Sequence, residues 1–355
     1  MSKRQVAMVM DLNKCIGCQT CTIACKRLWT RDEGMKHMLW NTVNTQPGQG
    51  TPHQWEKMGG GFKNKEAQAG HRPSLAEFGK AWEFNYDEVF YQGKPDATLA
   101  PIDPNPGTGP NDDEDIGAGE FPNNYFFYLP RICNHCTHPA CLEACPRKAI
   151  EKREEDGVVL IDGDRCRGHR FCMEACPYKK IYYNEVLGVS QKCILCFPRI
   201  DKGVANACAR QCPGRVRFVG YLDDIEGPIH KLVYKYRVAL PLHAEYGTQP
   251  NVFYVPPLSP ETEDARGNPT GEMRIPTEYL ESLFGRGVHD ALALLVSERA
   301  KNRAGQKSEL MDLLIARDWI KMFGPFSNHP RYAEKHLLIC FSVISQIFTA
   351  HHAFG

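Results

Sequence analysis

Residues 193–212 read CILCFPRIDKGVANACARQC, and this stretch decides how the rest of the chain must fold. Its cysteines are spaced Cys193-x2-Cys196-x11-Cys208-x3-Cys212, and a proline follows the last one. In two-cluster ferredoxins, three cysteines of such a run bind one iron–sulfur cluster and the fourth binds the other cluster. The spacing therefore predicts that Cys212 ligates a cluster held mainly by another part of the chain.

Four such runs contain fifteen of the sixteen cysteines. The other three read CIGCQTCTIAC at residues 15–25, CNHCTHPACLEAC at 133–145 and CRGHRFCMEAC at 166–176. Run one has the x2, x2, x3 spacing of bacterial ferredoxins, and run two lengthens one gap to x4. Disulfide scaffolds are typical of short secreted chains, and zinc sites favour two closed C-x2-C pairs. The runs therefore favour iron–sulfur clusters over disulfides or zinc, and electron transfer over substrate chemistry.

An internal repeat relates the runs. Asp11 stands four residues before Cys15, and Asp162 stands four residues before Cys166. Runs one and three are thus equivalent, as are runs two and four. The predicted fold class is α+β, with two nested bacterial-ferredoxin-like units, a long insertion and a C-terminal wrapping arm. The predicted boundaries are 1–26 with 187–224 for unit A, 27–124 for the insertion, 125–186 for unit B and 225–355 for the arm.

Cross-ligation between paired runs assigns three [4Fe–4S] sites, each with four soft thiolate ligands. The predicted sets are Cys15, Cys18, Cys21 and Cys212 for site one, Cys25, Cys193, Cys196 and Cys208 for site two, and Cys133, Cys136, Cys141 and Cys176 for site three. Run one pairs with the distant run four, and run two pairs with its neighbour, run three.

The fourth site is one thiolate short. It retains Cys145, Cys166 and Cys172, while His169 occupies the position that matches Cys18 of run one. Three thiolates suit a [3Fe–4S] cluster, which is the preferred interpretation. The alternative is a complete [4Fe–4S] cluster with His169 as a nitrogen ligand, because imidazole also binds iron.

The segments outside the runs give weaker predictions. Strands are expected near residues 5–10, 126–128, 157–161 and 216–221, extended wrapping chain at 239–247 and 252–257, and helices at 279–284 and 288–322. The insertion lacks cysteine but contains four of the five tryptophans, at positions 29, 40, 55 and 82, which a disordered linker would not have. We expect it to be ordered by packing against a large partner, such as another subunit.

Composition excludes several classes of protein. The 43 Lys and Arg residues almost cancel the 42 Asp and Glu residues, which argues against a nucleic-acid partner.

No secretory signal and no membrane-spanning stretch are recognisable. Residues 337–350 are instead expected to form a docked helix or an interfacial segment, with Cys340 as a small buried side chain. No catalytic constellation is present, so the chain is expected to be a non-catalytic subunit.

The cysteine runs and several short motifs resemble the β subunits of molybdenum enzymes of the dimethyl sulfoxide reductase superfamily. The resemblance is closest to the branch that contains nitrate, selenate, chlorate and perchlorate reductases, dimethylsulfide dehydrogenase and ethylbenzene dehydrogenase, and it covers about residues 1–325. In nitrate reductase β subunits, a Trp replaces His169 and the site holds a three-iron cluster. The motifs are DLNKC at 11–15, CPYKK at 176–180, KCILCFPRI at 192–200, QCPGR at 211–215 and LHAEYG at 242–247.

This resemblance implies a heterotrimer in which the chain carries electrons between a molybdenum-containing α subunit and a γ subunit with haem b. Cluster one would lie nearest the α subunit, and the three-iron cluster nearest the haem. The expected activity of the complex is hydroxylation of hydrocarbon or steroid C–H bonds, as in ethylbenzene dehydrogenase. The alternatives are a (per)chlorate, selenate or nitrate reductase with the opposite electron flow and, more distantly, a free-standing polyferredoxin. The expected location is the periplasm, reached by co-export with the α subunit, with the cytoplasm as the alternative.

Overall fold

The computed structural model describes residues 4–79, 85, 88–89, 92–94, 96–98 and 117–328. Three features considered above lie outside the described residues: Trp82, Cys340 and the apolar segment 337–350.

The described residues form short strands and helices, listed here in chain order. The strands are β1 Val6–Asp11, β2 Thr42–Gln46, β3 Phe62–Lys63, β4 Glu66–Ala67, β5 Phe127–Arg131, β6 Ile150–Lys152, β7 Val159–Ile161, β8 Ile181–Asn184, β9 Val189–Lys192, β10 Arg217–Tyr221, β11 Leu240–Pro241, β12 Val252–Val255, β13 Glu261–Glu263 and β14 Pro269–Met273. The α-helices are α1 Thr20–Trp29, α2 Ala140–Glu143, α3 Phe171–Ala175, α4 Phe197–Ile200, α5 Ala207–Arg210, α6 Pro228–His230, α7 Thr277–Phe284, α8 Val288–Arg303 and α9 Glu309–Ile315. A π-helical turn covers Lys231–Lys235, and 3-10 turns cover Leu12–Lys14, Trp55–Lys57, Ala244–Tyr246 and Trp319–Phe326.

A four-stranded sheet with the order β10-β1-β12-β11 forms the centre of the fold. Strand β1 pairs antiparallel with β10 and parallel with β12, and all six of its residues are buried. Its sequence VAMVMD is nearly continuous in apolar residues, as expected of a strand covered on both faces. The predicted strands at 5–10 and 216–221 are confirmed as β1 and β10. The extended chain predicted at 252–257 is confirmed over Val252–Val255, but it does not wrap the outside of the fold, because it is an inner strand of this sheet.

The first part of the insertion packs on its own chain. Strand β2 pairs antiparallel with β5, which confirms a strand near 126–128, and Trp40 and Trp55 are buried. The Trp55 ring also lies 3.5 Å from the guanidinium of the buried Arg131. Intramolecular packing therefore orders this part of the segment, and packing of the insertion against another subunit stays a prediction.

Short hairpins and helices carry the cysteine runs. The hairpin β6–β7, which includes the predicted strand near 157–161, separates run two from run three, and β8–β9 separates run three from run four. Helix α1 of run one packs on α5 of run four, and α2 of run two packs on α3 of run three. These elements make a mixed α/β arrangement in which the helices of paired runs pack on one another.

The C-terminal region is helical but more interrupted than predicted. A helix over 288–322 was expected, whereas the chain forms α8, a turn at 304–308, α9 and a separate 3-10 turn. Gly305 adopts φ +76° and Ser308 caps α9, so the helical structure predicted here is confirmed but divided into separate helices. Lys14 Nζ donates to the Leu314 carbonyl at 2.8 Å, which ties this region to run one. Within the described ranges, no helix has the length and apolar character required to cross a bilayer.

Candidate metal centres

Runs one and three share a backbone repeat that presents their cysteines. Asp11 Oδ1 accepts a hydrogen bond from Asn13 N, and Asp162 Oδ1 accepts one from Asp164 N. Gly17 and Gly168 then adopt φ +68° and +65°. A Cβ at Gly17 would lie 2.6 Å from the Tyr128 ring, so both the left-handed conformation and the close approach require glycine here.

A second repeat follows the last cysteine of runs two, three and four. Each continues Cys-Pro-x-(Lys or Arg), and the basic residue adopts a left-handed conformation, with φ +49° at Lys148, +50° at Lys179 and +52° at Arg215. This turn aims a backbone N–H at the cysteine sulfur. Ala149 N donates to Cys145 Sγ at 3.3 Å, and Val216 N donates to Cys212 Sγ at 3.5 Å. In run one Lys26 replaces the proline, and Cys25 lies inside α1 instead.

Site one is a cavity between runs one and four. Cys15, Cys18, Cys21 and Cys212 line it together with Arg217, and the protein atoms surround about 330 Å³ of empty space. Cys18 is exposed, whereas Cys21 is buried. Burial raises the pKa of Cys15 to about 12, with smaller contributions from Cys21 and Cys212. The structure thus brings all four predicted ligands of this site to one cavity that opens at the surface.

Site two lies deeper between the same two runs. Its cavity of about 320 Å³ is lined by Cys25, Cys193, Cys196 and Cys208, with Trp29 and Trp40 in the wall. All four cysteines are buried. Burial raises the pKa of Cys25 well above its ordinary value, and the three other thiols raise it further.

Site three joins runs two and three. Cys133, Cys136, Cys141 and Cys176 line a cavity of about 380 Å³ whose wall also includes the buried Lys180. Burial raises the pKa of Cys141 well above its ordinary value, and Cys176 and Cys133 add to the effect. The four predicted ligands again meet at one place.

The fourth site gathers three thiols. Burial, with smaller contributions from Cys166 and Cys145 nearby, raises the pKa of Cys172 to about 11. Ser190 N donates to Cys166 Sγ at 3.4 Å, and Ser190 Oγ lies 3.5 Å from Cys172 Sγ. His169 lies at the surface beside this site, where its ring is parallel to that of Phe171 at a centroid distance of 6.2 Å.

The cysteine sulfurs of sites one, two and three line cavities, and they do not lie close enough together to bind a single metal ion. Within the described part of the chain, no group of three or more His, Cys, Asp or Glu side chains is gathered tightly enough for a single metal ion. A zinc ion with Zn–S bonds of about 2.3 Å would hold its sulfurs within about 4 Å of one another. Cavities ringed by four soft ligands instead fit iron–sulfur clusters, which are larger and take four thiolates each. The residues present therefore fit the predicted groups.

The four sites follow one another in a row. Arg217 donates to Cys21 Sγ of site one and to Cys208 Sγ of site two. Lys192 Nζ donates to the carbonyl of Cys193 of site two and to that of Val159, which lines site three. Cys176 N of site three donates to the carbonyl of Cys172 of the fourth site at 3.2 Å. The order is one, two, three, four.

Comparison with known proteins places the chain in a family. Residues 124–222 match the 4Fe–4S dicluster domain family. The chain is 60% identical to the respiratory nitrate reductase subunit beta of Haloferax mediterranei, over 87% of this chain and 90% of that protein. It is 56% identical to the selenate reductase subunit beta of Thauera selenatis, over 94% and 99%. It is 55% identical to the dimethylsulfide dehydrogenase subunit beta of Rhodovulum sulfidophilum, over 91% and 99%.

The chain belongs to the iron–sulfur β subunits of molybdenum oxidoreductases. The resemblance stated from the motifs is thereby confirmed, including the 4Fe–4S character of the domain.

Sequence reasoning missed the hydrogen-bond donors that this β subunit directs at its cysteine sulfurs. Trp29 Nε1 donates to Cys196 Sγ at 3.1 Å, and Asn41 Nδ2 donates to Cys21 Sγ at 3.2 Å. Arg217 donates to the sulfurs of two different sites. The one available signal was Arg217 itself, a charged residue inside the apolar stretch VRFVG at 216–220.

Buried basic side chains also lie beside the β subunit's sites. Lys180 Nζ donates to the Leu39 carbonyl at 3.1 Å and lines site three, while Lys192 Nζ donates to the carbonyls of Val159 and Cys193. Burial alone would lower the pKa of Arg217, but four cysteines of sites one and two raise it above its ordinary value. The positive charge of Arg217 would compensate the negative charge of thiolate ligands in sites one and two.

Proposed function

We propose that this β subunit relays electrons between a molybdenum-containing α subunit and a haem b γ subunit, as part of an oxyanion reductase. It would hold three [4Fe–4S] clusters and one [3Fe–4S] cluster. Iron–sulfur clusters accept and donate single electrons, and their ligands and surroundings set the potentials. The chain itself positions the thiolates, excludes water and supplies compensating positive charge.

One observation carries this proposal: three cavities, each lined by four cysteines from two runs, lie in a row with the three-thiol site. The ligand sets are those predicted from the spacing. The helix pairs α1 with α5 and α2 with α3 support the two nested ferredoxin-like units, and the contact of α9 with run one supports a C-terminal arm that covers the core.

The exposure of the cysteines along the row also supports electron transfer through the chain. Cys18 of site one is exposed and Cys166 of the fourth site is half-buried, whereas every cysteine of site two is buried. Electrons can thus be exchanged with partners at the two ends, and the middle is insulated from solvent. A free-standing polyferredoxin is disfavoured, because the relatives described above are named as subunits.

The substrate lies beyond this subunit, but the relatives' names favour one class. Nitrate and selenate reductases stand among them, which supports the oxyanion reductase. Dimethylsulfide dehydrogenase favours a second candidate, an oxidising complex with the opposite electron flow. These relatives do not support the hydrocarbon- or steroid-hydroxylating activity expected from the resemblance. We place the complex in the periplasm, as expected for a β subunit co-exported with its α subunit.

Anaerobic purification of the complex from its source tests the proposal. We expect about fifteen iron atoms per β chain, after subtraction of the partners' iron, with absorbance near 400 nm. Mass spectrometry should identify a large molybdenum subunit, and cell fractionation should locate the complex. Assays with nitrate, selenate, chlorate and perchlorate should then exceed those with dimethylsulfide or hydrocarbons. A colourless chain with stoichiometric zinc, or a β chain that elutes alone, would refute the relay.

A further inference from the structure

Arg217 lies between site one and site two. It is the first residue of β10 and is only 1% exposed. Its Nη2 donates to Cys21 Sγ of site one at 3.4 Å, and its Nη1 donates to Cys208 Sγ of site two at 3.6 Å. One guanidinium therefore contacts a ligand sulfur of each site.

Asn41 fixes this guanidinium in place. Arg217 Nη2 donates to Asn41 Oδ1 at 2.6 Å, and Asn41 Nδ2 in turn donates to Cys21 Sγ at 3.2 Å. Asn41 is also only 1% exposed, so neither side chain can exchange these partners for water. The planar guanidinium presents its donors in a fixed fork, which suits two sulfurs on opposite sides.

Among the described residues, no carboxylate forms an ion pair with Arg217. The buried carboxylates of the described residues are Asp11 and Asp156, and they lie 3.6 Å from Lys14 and 3.4 Å from Arg153. A buried charge without a counter-ion is strongly unfavourable. The cysteines of sites one and two are therefore the anionic partners that this position provides.

We propose that Arg217, held by Asn41, is a shared positioning residue that raises the reduction potentials of sites one and two together. This inference rests on the ligand sets of the proposed function. Reduction adds negative charge to a site, and both positive charge and hydrogen bonds to its sulfurs favour the reduced state. Because the guanidinium contacts both sites, its loss lowers both potentials, whereas an ordinary structural residue would move neither.

Four variants of the full β chain, each purified in its complex, test this inference by redox titration followed with electron paramagnetic resonance. Arg217→Met removes the shared charge and both donors. Asn41→Leu removes a donor to site one, and Trp29→Phe removes the donor to Cys196 of site two. Arg131→Met is the matched control, because Arg131 is equally buried but donates to the Tyr178 carbonyl and stacks on Trp55.

We expect Arg217→Met to shift the potentials of both sites to more negative values. Asn41→Leu should shift mainly site one, and Trp29→Phe only site two, which identifies the two signals. Arg131→Met should leave both potentials in place even where it lowers thermal stability. A change in one site alone, or in neither, in iron-replete Arg217→Met would overturn the inference.

Arg217→Lys and Asn41→Leu decide the matter if Arg217→Met does not assemble. Lysine keeps the charge but cannot donate to both sulfurs as the guanidinium fork does, so both potentials should fall relative to the unmutated chain. Unchanged potentials would overturn the inference. An unshifted site one in Asn41→Leu would do the same. Failure of the proposed function would give a different result from failure of this inference. In that case the unmutated β chain itself would lack the expected iron and resonance signals.

Discussion

His169 stands three residues after Cys166, as Cys18 stands three residues after Cys15. Both positions are exposed, and both follow a glycine in a left-handed conformation. A thiol at this position should therefore reach the site as Cys18 does in run one. We predict that His169→Cys converts a three-iron site to a four-iron site. The resonance signal near g = 2 of the oxidised protein should disappear, and iron should rise by about one atom per chain.

His289→Cys is the control for that conversion, because His289 is also exposed but lies on α8, outside the runs. It should leave the signal and the iron content unchanged. If the signal survives at full intensity in iron-replete His169→Cys, the assignment of a three-thiolate site is wrong. If the unmutated chain shows no such signal and has a complete fourth iron, His169 is the nitrogen ligand of the alternative.

Single residues also mark the limit of what the sequence could predict about the sites. Spacing grouped the cysteines because the ferredoxin pattern is local, with three ligands within about seven residues. Asn41 and Trp29 reach their sulfurs across 20 and 167 residues of chain. Nothing local distinguishes such an Asn or Trp from one that packs in a core, so only the folded structure reveals these donors.

The loop of run one contains a glycine that has little space around it. Gly17 and Gly188 both adopt φ +68°. A Cβ at Gly17 would lie 2.6 Å from Tyr128, whereas a Cβ at Gly188 would meet only Tyr183 Oη, at 3.9 Å. Gly188→Ala should therefore cost only the left-handed backbone penalty of about 1 kcal/mol. Gly17→Ala should cost more and should also displace the loop that presents Cys15 and Cys18.

Thermal denaturation and iron analysis of the two purified variants test this difference. We expect full iron in Gly188→Ala and a loss of up to one cluster, about four iron atoms, in Gly17→Ala. Equal stability and equal iron content would show that Tyr128 moves aside freely, and that the close approach does not shape site one.

The cap at the start of α9 gives a prediction about the stability of the C-terminal helices. Ser308 Oγ accepts a hydrogen bond from Met311 N at 3.1 Å and so caps α9, and it also donates to Glu298 Oε2 at 2.6 Å. Ser308→Ala should lower the free energy of unfolding by about 1 kcal/mol. Ser297→Ala, on the exposed face of α8, is the control and should have little effect, since its hydroxyl only donates to a carbonyl of its own helix. Chemical denaturation that gives equal values for the two variants would contradict the role of the cap.

These elements also explain where sequence reasoning about the fold succeeded and failed. Strands β1 and β10 were predictable because their apolar residues are contiguous and stand next to the cysteine runs. The break after α8 depends on Gly305, which is too weak a signal to stop a helix when apolar periodicity continues beyond it. Strand β12 joins β1 across more than 240 residues, and such pairing leaves no local trace.

In the whole molecule, the sites at the two ends of the row are more exposed to solvent than the two sites between them. Site one includes the exposed Cys18, and the fourth site includes the half-buried Cys145 and Cys166. Large apolar side chains stand beside both ends, with Ile16 66% exposed and Phe171 46% exposed. Such side chains lose water contact favourably when a partner covers them. The two ends are therefore suited to docking, and burial in the middle protects the clusters proposed there.

This arrangement predicts the order in which iron is lost. When the full β chain, separated from its partners, is treated with ferricyanide and a chelator, site one and the fourth site should lose their resonance signals several-fold faster than sites two and three. The reagents reach exposed sulfur directly, whereas all four cysteines of site two and three of the four cysteines of site three are buried. In the intact complex the α and γ subunits should cover the ends, and the difference should shrink. Loss of all four signals at one rate in the separated chain would contradict the row. A difference of the same size in the complex would show that the partners bind elsewhere.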